Sequence, residues 1–344
     1  MREMSNAELD HEVIRLDAKR REPRIKLVPF DRIRLGADRR YLVKGIVPYP
    51  GLSVIWGPPK SGKSFWAFDL VMRVALGWDY RGRWVHQGPV VYCCFEGQTG
   101  IRTRVEAFKQ KFLGEEAQGV PFFLQPVTID LVKEHEELIA AIRAIESPPV
   151  AVVLDTLNRS LAGSESSDTD MSNYVRATDA IRDAFGCAVL IVHHCGINDS
   201  RPRGHTSLTG AADAQIAVRR DIIGNIGVTV EFLKDGEAGE TIASKLESVE
   251  VGTDEDGDTI TSCVVVETDQ PTAATAKVPR LTPNQSTMLA ILHRASRPLT
   301  SEEWTDQAKE AGLSFNRAAT YWDLRRALQD KGLVYEGVNG WLPK

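Results

Sequence analysis

The sequence predicts an α/β protein in which helices cover a mostly parallel sheet and a small domain follows at the C-terminus. Between Gly51 and His194, short apolar runs alternate with helical patterns, which is typical of a buried parallel sheet. Beyond Arg220 the pattern changes to apolar–polar alternation, which predicts antiparallel strands. A proline-bounded run of small residues then precedes a last helical segment. With 344 residues, the chain is long enough for two domains.

The elements of the main domain follow one another along the chain. Buried strands are predicted in GLSVIWG, PVVYCCFEG, VAVVLDT and CAVLIVHH. Helices are predicted at 64–76, in GIRTRVEAFKQKF, near 133–145 and at 171–185, because apolar residues recur there at helical spacing. Antiparallel strands that close the sheet are predicted in NIGVTVEFLKDG, ETIASKLESVEVG and TSCVVVETD.

Composition predicts the domain boundaries. Residues 1–40 are polar and charged and are expected to form an N-terminal arm, followed by the main α/β domain at 41–269. The segment 270–280 has the small residues and prolines of a linker, and a C-terminal domain is expected at 281–344.

The C-terminal domain is predicted to contain three helices and then a hairpin whose turn is Asn339-Gly340. Three helices followed by a β-wing are the pattern of a winged-helix domain. The helix at 316–330 mixes arginines with aspartates, so it could contact DNA or dock a protein or another subunit. The tryptophans of this domain are expected in its core: Trp304, Trp322 and Trp341.

Overall composition excludes several classes of protein. Hydrophobic residues make up 42% and charged residues 26% of the chain, and no apolar run reaches the roughly 18 residues of a membrane-spanning helix. The odd number of cysteines, five, without C-x-x-C spacing disfavours a disulfide framework or zinc module. We expect a soluble cytoplasmic protein without a membrane partner. The pI near 5.9 disfavours a simple basic nucleic-acid coat protein but permits DNA in a small basic channel.

The segment GPPKSGKS fits the phosphate-binding pattern G-x-x-x-x-G-K-[ST]. A predicted strand precedes it and a predicted helix follows it, so a glycine-rich surface turn is the weaker alternative. Lys63 is expected to reach the β- and γ-phosphates of ATP, and Ser64 to coordinate Mg²⁺. The expected nucleotide-binding residues here are Gly57, Pro58, Pro59, Lys60, Ser61, Gly62, Lys63, Ser64 and Phe65.

Two carboxylates end predicted strands. Asp155 ends VAVVLD, where it can hold Mg²⁺ through water, although it could instead cap the next helix. Glu96 ends the strand PVVYCCFEG, where a base can orient the water that attacks the γ-phosphate. The alternative for Glu96 is a solvated loop carboxylate.

In the order of these features the sequence resembles the RecA-like core. The P-loop, Glu96 after the next strand, the pair Asp155-Thr156 and a histidine after a further strand come in that order. The sequence is most similar to the branch of RepA-type hexameric replicative helicases of plasmids and the related phage and mobile-element ATPases. The text VHHCGINDSRPRGHTSLTGAADA and FLKDGEAGE also looks like that branch. The resemblance covers about residues 40–268.

The resemblance implies a role for several matched residues. It makes Lys63 and Ser64 ligands of phosphate and Mg²⁺, Asp155 a metal-holding carboxylate and Glu96 the catalytic carboxylate. His193, or alternatively His194, would sense the γ-phosphate. The histidines could instead be capping residues or, with Cys195, metal ligands.

The resemblance also implies residues that act across a subunit interface. Arg203 would reach the ATP of a neighbouring subunit, with Arg201 close enough to share the role. A solvated loop arginine is the alternative. Lys234 would be a second cation that acts on the neighbour's nucleotide.

Two loops rich in glycine and serine follow the strands of Asp155 and His193. In hexameric motors of this kind the equivalent loops face the central channel. Here the first loop, AGSESSDTDMSN, is acidic through Glu165, Asp168 and Asp170, and only the second carries arginines. This departs from a basic DNA channel.

The function expected from these features is an ATP-hydrolysing, ring-forming motor on DNA, such as a replicative helicase or helicase-like ATPase of a mobile element. Its expected partners are single-stranded DNA, further copies of the chain in a hexamer, and a replication protein bound by the C-terminal domain. A regulatory DNA-binding ATPase, whose winged helix binds DNA or a partner and whose assembly is switched by ATP, is the alternative. A small-molecule kinase is disfavoured by the arginine-bearing loop and the appended domain.

Overall fold

The chain divides into two units, residues 1–40 and 41–344. In the first unit, Phe30–Arg32 forms a single 3₁₀ turn. Residues 1–26 and 35–39 of the predicted arm and the predicted linker at 270–280 lie outside the described residues. The structure, a computed structural model, describes residues 27–34, 40–196, 201–221, 224–268, 281–295, 297–313, 319–337 and 340–343.

The second unit is built on one large sheet. It begins with a small hairpin of β1 (Tyr41–Val43) and β2 (Val47–Pro48). Within the described residues, nine further strands form one sheet in the order β11-β10-β9-β8-β3-β7-β6-β4-β5. These strands are β3 (Gly51–Gly57), β4 (Val90–Cys94), β5 (Phe122–Gln125), β6 (Ala151–Asp155), β7 (Ala188–His194), β8 (Ala214–Arg220), β9 (Ile226–Leu233), β10 (Thr241–Thr253) and β11 (Thr259–Glu267).

The directions of the strands confirm the predicted fold class. The strands from β8 to β5 are parallel to their neighbours, and β9, β10 and β11 are added in antiparallel order. One strand, β8, was not among the strands predicted from the sequence. Its residues run parallel to β3, with Ala214 opposite Ser53. It is largely buried because β3 and β9 flank it on both sides.

Helices cover both faces of the sheet, and the alternation of side chains along each strand separates two apolar clusters. In β3, Ile55 belongs to the cluster beneath helix Lys63–Leu76, whereas Trp56 belongs to the opposite cluster. The opposite cluster packs against the helices Leu131–Arg143 and Asp168–Phe185. The remaining helical segments before the C-terminal part are Gln98–Phe108, Lys109–Leu113 (a π turn), Gly114–Ala117 (3₁₀), Leu157–Ser160 and Thr206–Ala211.

The parallel strands bring the predicted functional segments to one edge of the sheet. The carboxyl ends of β3, β7, β6 and β4 adjoin, because Gly57 lies opposite His194, and Asp155 lies opposite both Val192 and Cys94. The strand of His194 therefore separates the P-loop strand from the strand of Asp155. Such a carboxyl edge is where ligands bind in open α/β sheets.

The described residues of the C-terminal part form three helices and a hairpin around their own apolar cluster. Trp304 and Trp341 lie in this cluster, as predicted, but the prediction for Trp322 is wrong because its side chain is 52% exposed. The assignment to the winged-helix type stays a prediction. The elements are helices Pro283–Arg294, Ser301–Glu310 and Ala319–Asp330 and strands β12 (Val334–Gly337) and β13 (Gly340–Pro343).

Among the helices that the structure describes, none is long and apolar enough to cross a membrane.

Candidate functional site

The P-loop joins β3 to helix Lys63–Leu76 through a backbone that side chains rarely allow. Gly62 has φ of 95°, and a Cβ there would lie 2.5 Å from Ile226 Cδ1. Lys60 is also left-handed, with φ of 62°. The tight loop places the first N–H groups of the helix at the carboxyl edge of the sheet, and such groups bind phosphate oxygens. The loop is therefore a phosphate-binding P-loop.

Lys63 is folded over this loop. Its Nζ donates hydrogen bonds to the carbonyl oxygens of Gly57 at 3.0 Å and Pro58 at 2.7 Å. Burial lowers the pKa of the Lys63 ammonium, against the opposing effect of nearby groups that include Asp155 and Glu96. An ammonium that has lost water gains from an anion, so this side chain is suited to phosphate.

The Ser61 hydroxyl is a second polar group of the loop that could bind phosphate. Ser61 Oγ is buried and has no hydrogen-bond partner among the described residues. A buried hydroxyl without a partner costs free energy. A phosphate oxygen in the loop would supply the acceptor, so the residues present fit a nucleotide.

Asp155 and Ser64 meet at the predicted metal position. Ser64 Oγ donates to Asp155 Oδ1 at 3.0 Å, and the Tyr92 hydroxyl donates to Asp155 Oδ2 at 2.6 Å. Burial raises the pKa of the Asp155 carboxyl, and the hydrogen bonds from Tyr92 and Ser64 oppose that rise. Asp155 is not the cap of the following helix, since Thr156 occupies the N-cap position. A hydroxyl and a carboxylate side by side are oxygen ligands of the kind that Mg²⁺ prefers.

Glu96 lies beside this pair, and its carboxylate contacts two residues that follow Asp155 in the chain. Thr156 Oγ1 donates to Glu96 Oε2 at 3.2 Å, and Arg159 lies 3.8 Å from Glu96 Oε1. The Glu96 side chain remains 44% exposed. It is thus an accessible carboxylate with a fixed orientation, which is what a base that orients water requires.

Two contributors to the site were not singled out from the sequence: Tyr92 and Arg104. The guanidinium of Arg104 lies 4.1 Å from the centre of the Phe65 ring, and its positive charge favours the ionised form of Asp155. Arg104 lies on helix Gln98–Phe108, which follows Glu96. The sequence signal for Arg104 was a basic residue on the helix after Glu96. Arg102 on the same helix gives the same signal, so the sequence does not distinguish the two.

The two histidines at the end of β7 face opposite sides of the sheet. His194 follows the alternation of Val192, on the side of helix Lys63–Leu76, and lies opposite Gly57 of the P-loop. Burial and the charge of Lys63 lower the pKa of His194. His193 is fully buried on the other side, where its Nε2 contacts the backbone oxygen of Arg203 at 2.8 Å. His194 is thus the histidine beside the P-loop, and the role of phosphate sensor for His193, or alternatively His194, stays a prediction.

The histidines form no metal centre that can be recognised. Among the described residues there is no group of three or more His, Cys, Asp or Glu side chains that could hold a metal ion. Burial lowers the pKa of His193 as well, which favours the neutral ring in both histidines.

The two loops that were expected to line a channel are bonded to each other. Arg203 Nε lies 2.8 Å from Glu165 Oε2, and the Arg203 side chain remains 59% exposed. Glu165 is only 6% exposed, so its charge is buried against Arg203. Arg201 is exposed, whereas residues 197–200 of the same loop lie outside the described residues.

Lys234 lies away from the P-loop of its own chain. Because β9 runs antiparallel to β8, Leu233 pairs with Ala214, which in turn pairs with Ser53 near the start of β3. Lys234 Nζ lies 3.2 Å from Asp213 Oδ1 at this amino edge. Lys234 is thus not placed to contact a nucleotide in the P-loop of its own chain. Its contact with the nucleotide of a neighbouring subunit stays a prediction.

The model of the AAA domain family (AAA_25) matches residues 18–200 of the chain. The match includes the P-loop, Glu96, Asp155 and both histidines. No curated protein matches the sequence.

The solved structures that resemble the chain include the following two. The crystal structure of the RadB recombinase is 17% identical, with a TM-score of 0.43 over 58% of this chain and 90% of that one. A KaiC-like protein, PH0186 from Pyrococcus horikoshii OT3, is 12% identical, with a TM-score of 0.47 over 64% of this chain and 93% of that one.

Proposed function

The chain belongs to the AAA domain family, and from this premise we propose that it is an ATP-hydrolysing motor that assembles into a ring on DNA. The observation that supports the proposal most directly is the convergence of Lys63, Ser64, Asp155 and Glu96 at one edge of the sheet. These residues supply a phosphate-binding cation, a pair of metal ligands and an accessible base.

In the proposed reaction each residue has a distinct task. Lys63 exchanges its bonds to the P-loop carbonyls for the phosphates of ATP. Ser64 and Asp155 would hold Mg²⁺, which would supply positive charge to offset that of the phosphate oxygens. Glu96 accepts a hydrogen bond from water and directs its lone pair toward the γ-phosphorus. Thr156 and Arg159 keep the Glu96 carboxylate turned toward the site.

Arg203 is proposed to complete the site of a neighbouring copy. Its side chain is largely accessible although its Nε is bonded to Glu165. A cation presented in this way can stabilise charge on the phosphoryl group in transfer. Hydrolysis would then require assembly, which is the basis for proposing a hexameric ring, with Lys234 as a second cation from the neighbour.

The finer proposal is a replicative helicase or helicase-like ATPase of a plasmid, phage or mobile element that acts on single-stranded DNA. The C-terminal helices and hairpin would bind a replication protein or DNA. A regulatory DNA-binding ATPase is the second candidate. The exposed Trp322, whose ring lies 5.0 Å from the Arg326 guanidinium, favours it, because aromatic and arginine side chains are enriched at interfaces.

Two measurements test these proposals. ATP hydrolysis with single-stranded and with duplex DNA separates the motor, which single strands stimulate, from the regulator, which binds duplex alone. Mixing tests assembly: Arg203→Ala and Glu96→Gln should each bind ATP but hydrolyse it at least about 100-fold more slowly than wild type. In mixed oligomers some interfaces pair an intact Glu96 with an intact Arg203, so activity should partly return. If mixed oligomers form and activity stays absent, each site is complete within one chain.

A further inference from the structure

The loop after β6 and the loop after β7 are joined by a group of contacts that we call the clasp, formed by Glu165, Arg203, Gly204 and His205. The Glu165 carboxylate binds Arg203 Nε at 2.8 Å, and the Glu165 backbone oxygen accepts a hydrogen bond from the N–H of His205 at 2.8 Å. Between them, Gly204 has φ of 91°, and a Cβ there would lie 2.4 Å from the Glu165 backbone oxygen. The two loops thus approach more closely than any other residue at 204 would allow.

Glu165 is held firmly on the side away from Arg203. Asn158 Nδ2 donates to Glu165 Oε1 at 2.8 Å, so one carboxylate oxygen is fixed by helix Leu157–Ser160 and the other faces Arg203. With Glu165 only 6% exposed, its charge needs a cation nearby. The carboxylate therefore holds the Arg203 guanidinium in place by an ion pair at Nε.

The backbone of Arg203 is anchored separately from its side chain. Its N–H donates to the carbonyl oxygen of His194 at 3.0 Å, and its own oxygen contacts His193 Nε2 at 2.8 Å. These bonds attach Arg203 to the end of β7, where His194 adjoins the P-loop. The orientation of the long side chain is left to Glu165, because the backbone bonds do not restrict its rotamers.

We propose that Glu165 is the positioning residue for Arg203: it holds the guanidinium by Nε so that the rest of the group is presented to the nucleotide of a neighbouring copy. The inference rests on the proposed function, in which Arg203 acts across an interface. It also gives the acidic first loop a role as the support of the arginine loop. A guanidinium held in advance loses less conformational freedom when it engages phosphate.

The test compares Glu165→Gln with Asp170→Asn, a control that removes the same charge close by, from the first turn of the helix after the loop. The Asp170 carboxylate accepts a hydrogen bond from the N–H of Ser164 at 2.9 Å and lies outside the salt bridge to Arg203. Glu165→Gln keeps the shape of the side chain and an oxygen for Asn158. We expect its kcat for ATP to fall roughly 10- to 100-fold with ATP affinity and oligomeric state unchanged, while Asp170→Asn stays within about twofold of wild type.

A double variant shows whether Glu165 acts through Arg203. Glu165→Gln in an Arg203→Ala background should lower kcat no further, because the residue to be positioned is gone. A further tenfold loss in that background would overturn the inference, and so would a rise in kcat of Glu165→Gln alone, since Glu165 would then restrain Arg203. Failure of Arg203→Ala itself to reduce kcat would instead contradict the proposed function.

Loss of folding is controlled by a second variant. If Glu165→Gln no longer binds ATP, Asn158→Ala loosens the same carboxylate from the other side and leaves both charges in place. We expect a smaller loss, confined to kcat, that disappears in the Arg203→Ala background. A wild-type kcat for Asn158→Ala would then overturn the inference.

Discussion

At the scale of single residues, neighbouring positions in the sequence have different tasks because successive side chains of a strand face opposite sides of the sheet. His194 lies on the side of the P-loop helix, and His193 contacts the backbone of Arg203 on the other side. Their adjacent backbones connect the phosphate site with the arginine loop. This gives the pair a physical route by which nucleotide at the P-loop could influence Arg203.

The phosphate site gives the first prediction. Lys63→Ala removes the cation folded over the P-loop and should abolish both tight ATP binding and hydrolysis. Glu96→Gln keeps the shape but loses the base, so it should bind ATP nearly as well as wild type and hydrolyse it at least about 100-fold more slowly. Equilibrium binding of a fluorescent ATP analogue and phosphate release measure the two effects. Wild-type turnover by Glu96→Gln would show that another group orients the water.

Asp69 gives a prediction for pH dependence. Burial raises the pKa of its carboxyl to about 6, although Arg73 and Arg81 lower it in part. Because the folded state holds the proton more tightly than the unfolded state, whose pKa is near 3.8, the free energy of unfolding should fall as pH rises from about 4 to about 6. The shift corresponds to a loss on the order of 3 kcal/mol.

Asp69→Asn resembles the protonated form and should be stabilised relative to wild type at pH 7 but not at pH 4. Urea unfolding of both proteins at several pH values measures the difference, and the exposed carboxyl of Asp79 supplies the control Asp79→Asn. Equal stability of wild type and Asp69→Asn across the pH range would contradict the prediction.

At the scale of elements, loops at the carboxyl edge are placed by contacts with each other as well as by the strands that they follow. Gly204 shows the closest such contact between the two loops. Its φ is left-handed, and the Glu165 backbone lies where a Cβ would be. Helix Asp168–Phe185 begins within the segment that was predicted as the first loop, with Ser167 as its N-cap. The clasp therefore connects the arginine loop to a long helix of the core.

Gly204→Ala should disrupt this connection. The left-handed backbone alone costs on the order of 1–3 kcal/mol for a residue other than glycine, and the Cβ would collide with Glu165. We expect reduced thermal stability and a lower kcat, with ATP binding retained. Gly210→Ala is the matched control, since nothing lies within 4 Å of a Cβ there. If both variants behave alike, the close approach at Gly204 is unimportant.

At the scale of the whole molecule, the buried apolar residues that the structure describes form three separate clusters. Two lie on the faces of the large sheet, and the third belongs to the C-terminal helices and hairpin. The phosphate site draws its described residues from the strands and loops around the sheet. The part that follows residue 280 contributes none of the residues predicted to act on ATP.

Removal of residues 281–344 should therefore leave basal ATP hydrolysis within about twofold of the full chain. The reason is that a group of elements with its own core can be lost without a cavity in the other clusters. Phosphate release by the 1–280 fragment, together with its thermal unfolding, makes the comparison. An insoluble or inactive fragment would place part of the main core beyond residue 280.

The sequence alone determined the α/β class, the P-loop and the pairing of a P-loop with Asp155. These features are local: a glycine pattern has to precede a helix, and a carboxylate has to end a buried strand. The sequence did not predict that Tyr92 and Arg104 act on Asp155 or that Glu165 is buried against Arg203. Each of these contacts joins strands or loops that are distant in the sequence.

Only the tertiary structure decided which histidine adjoins the P-loop, that β8 runs beside β3, and that Lys234 lies at the opposite edge from Gly57. Sheet order and register are set by packing over the whole domain, and a shift of one residue reverses the face of every side chain. Local patterns thus specified which groups are present, and the long-range pairing of strands and loops specified which of them meet.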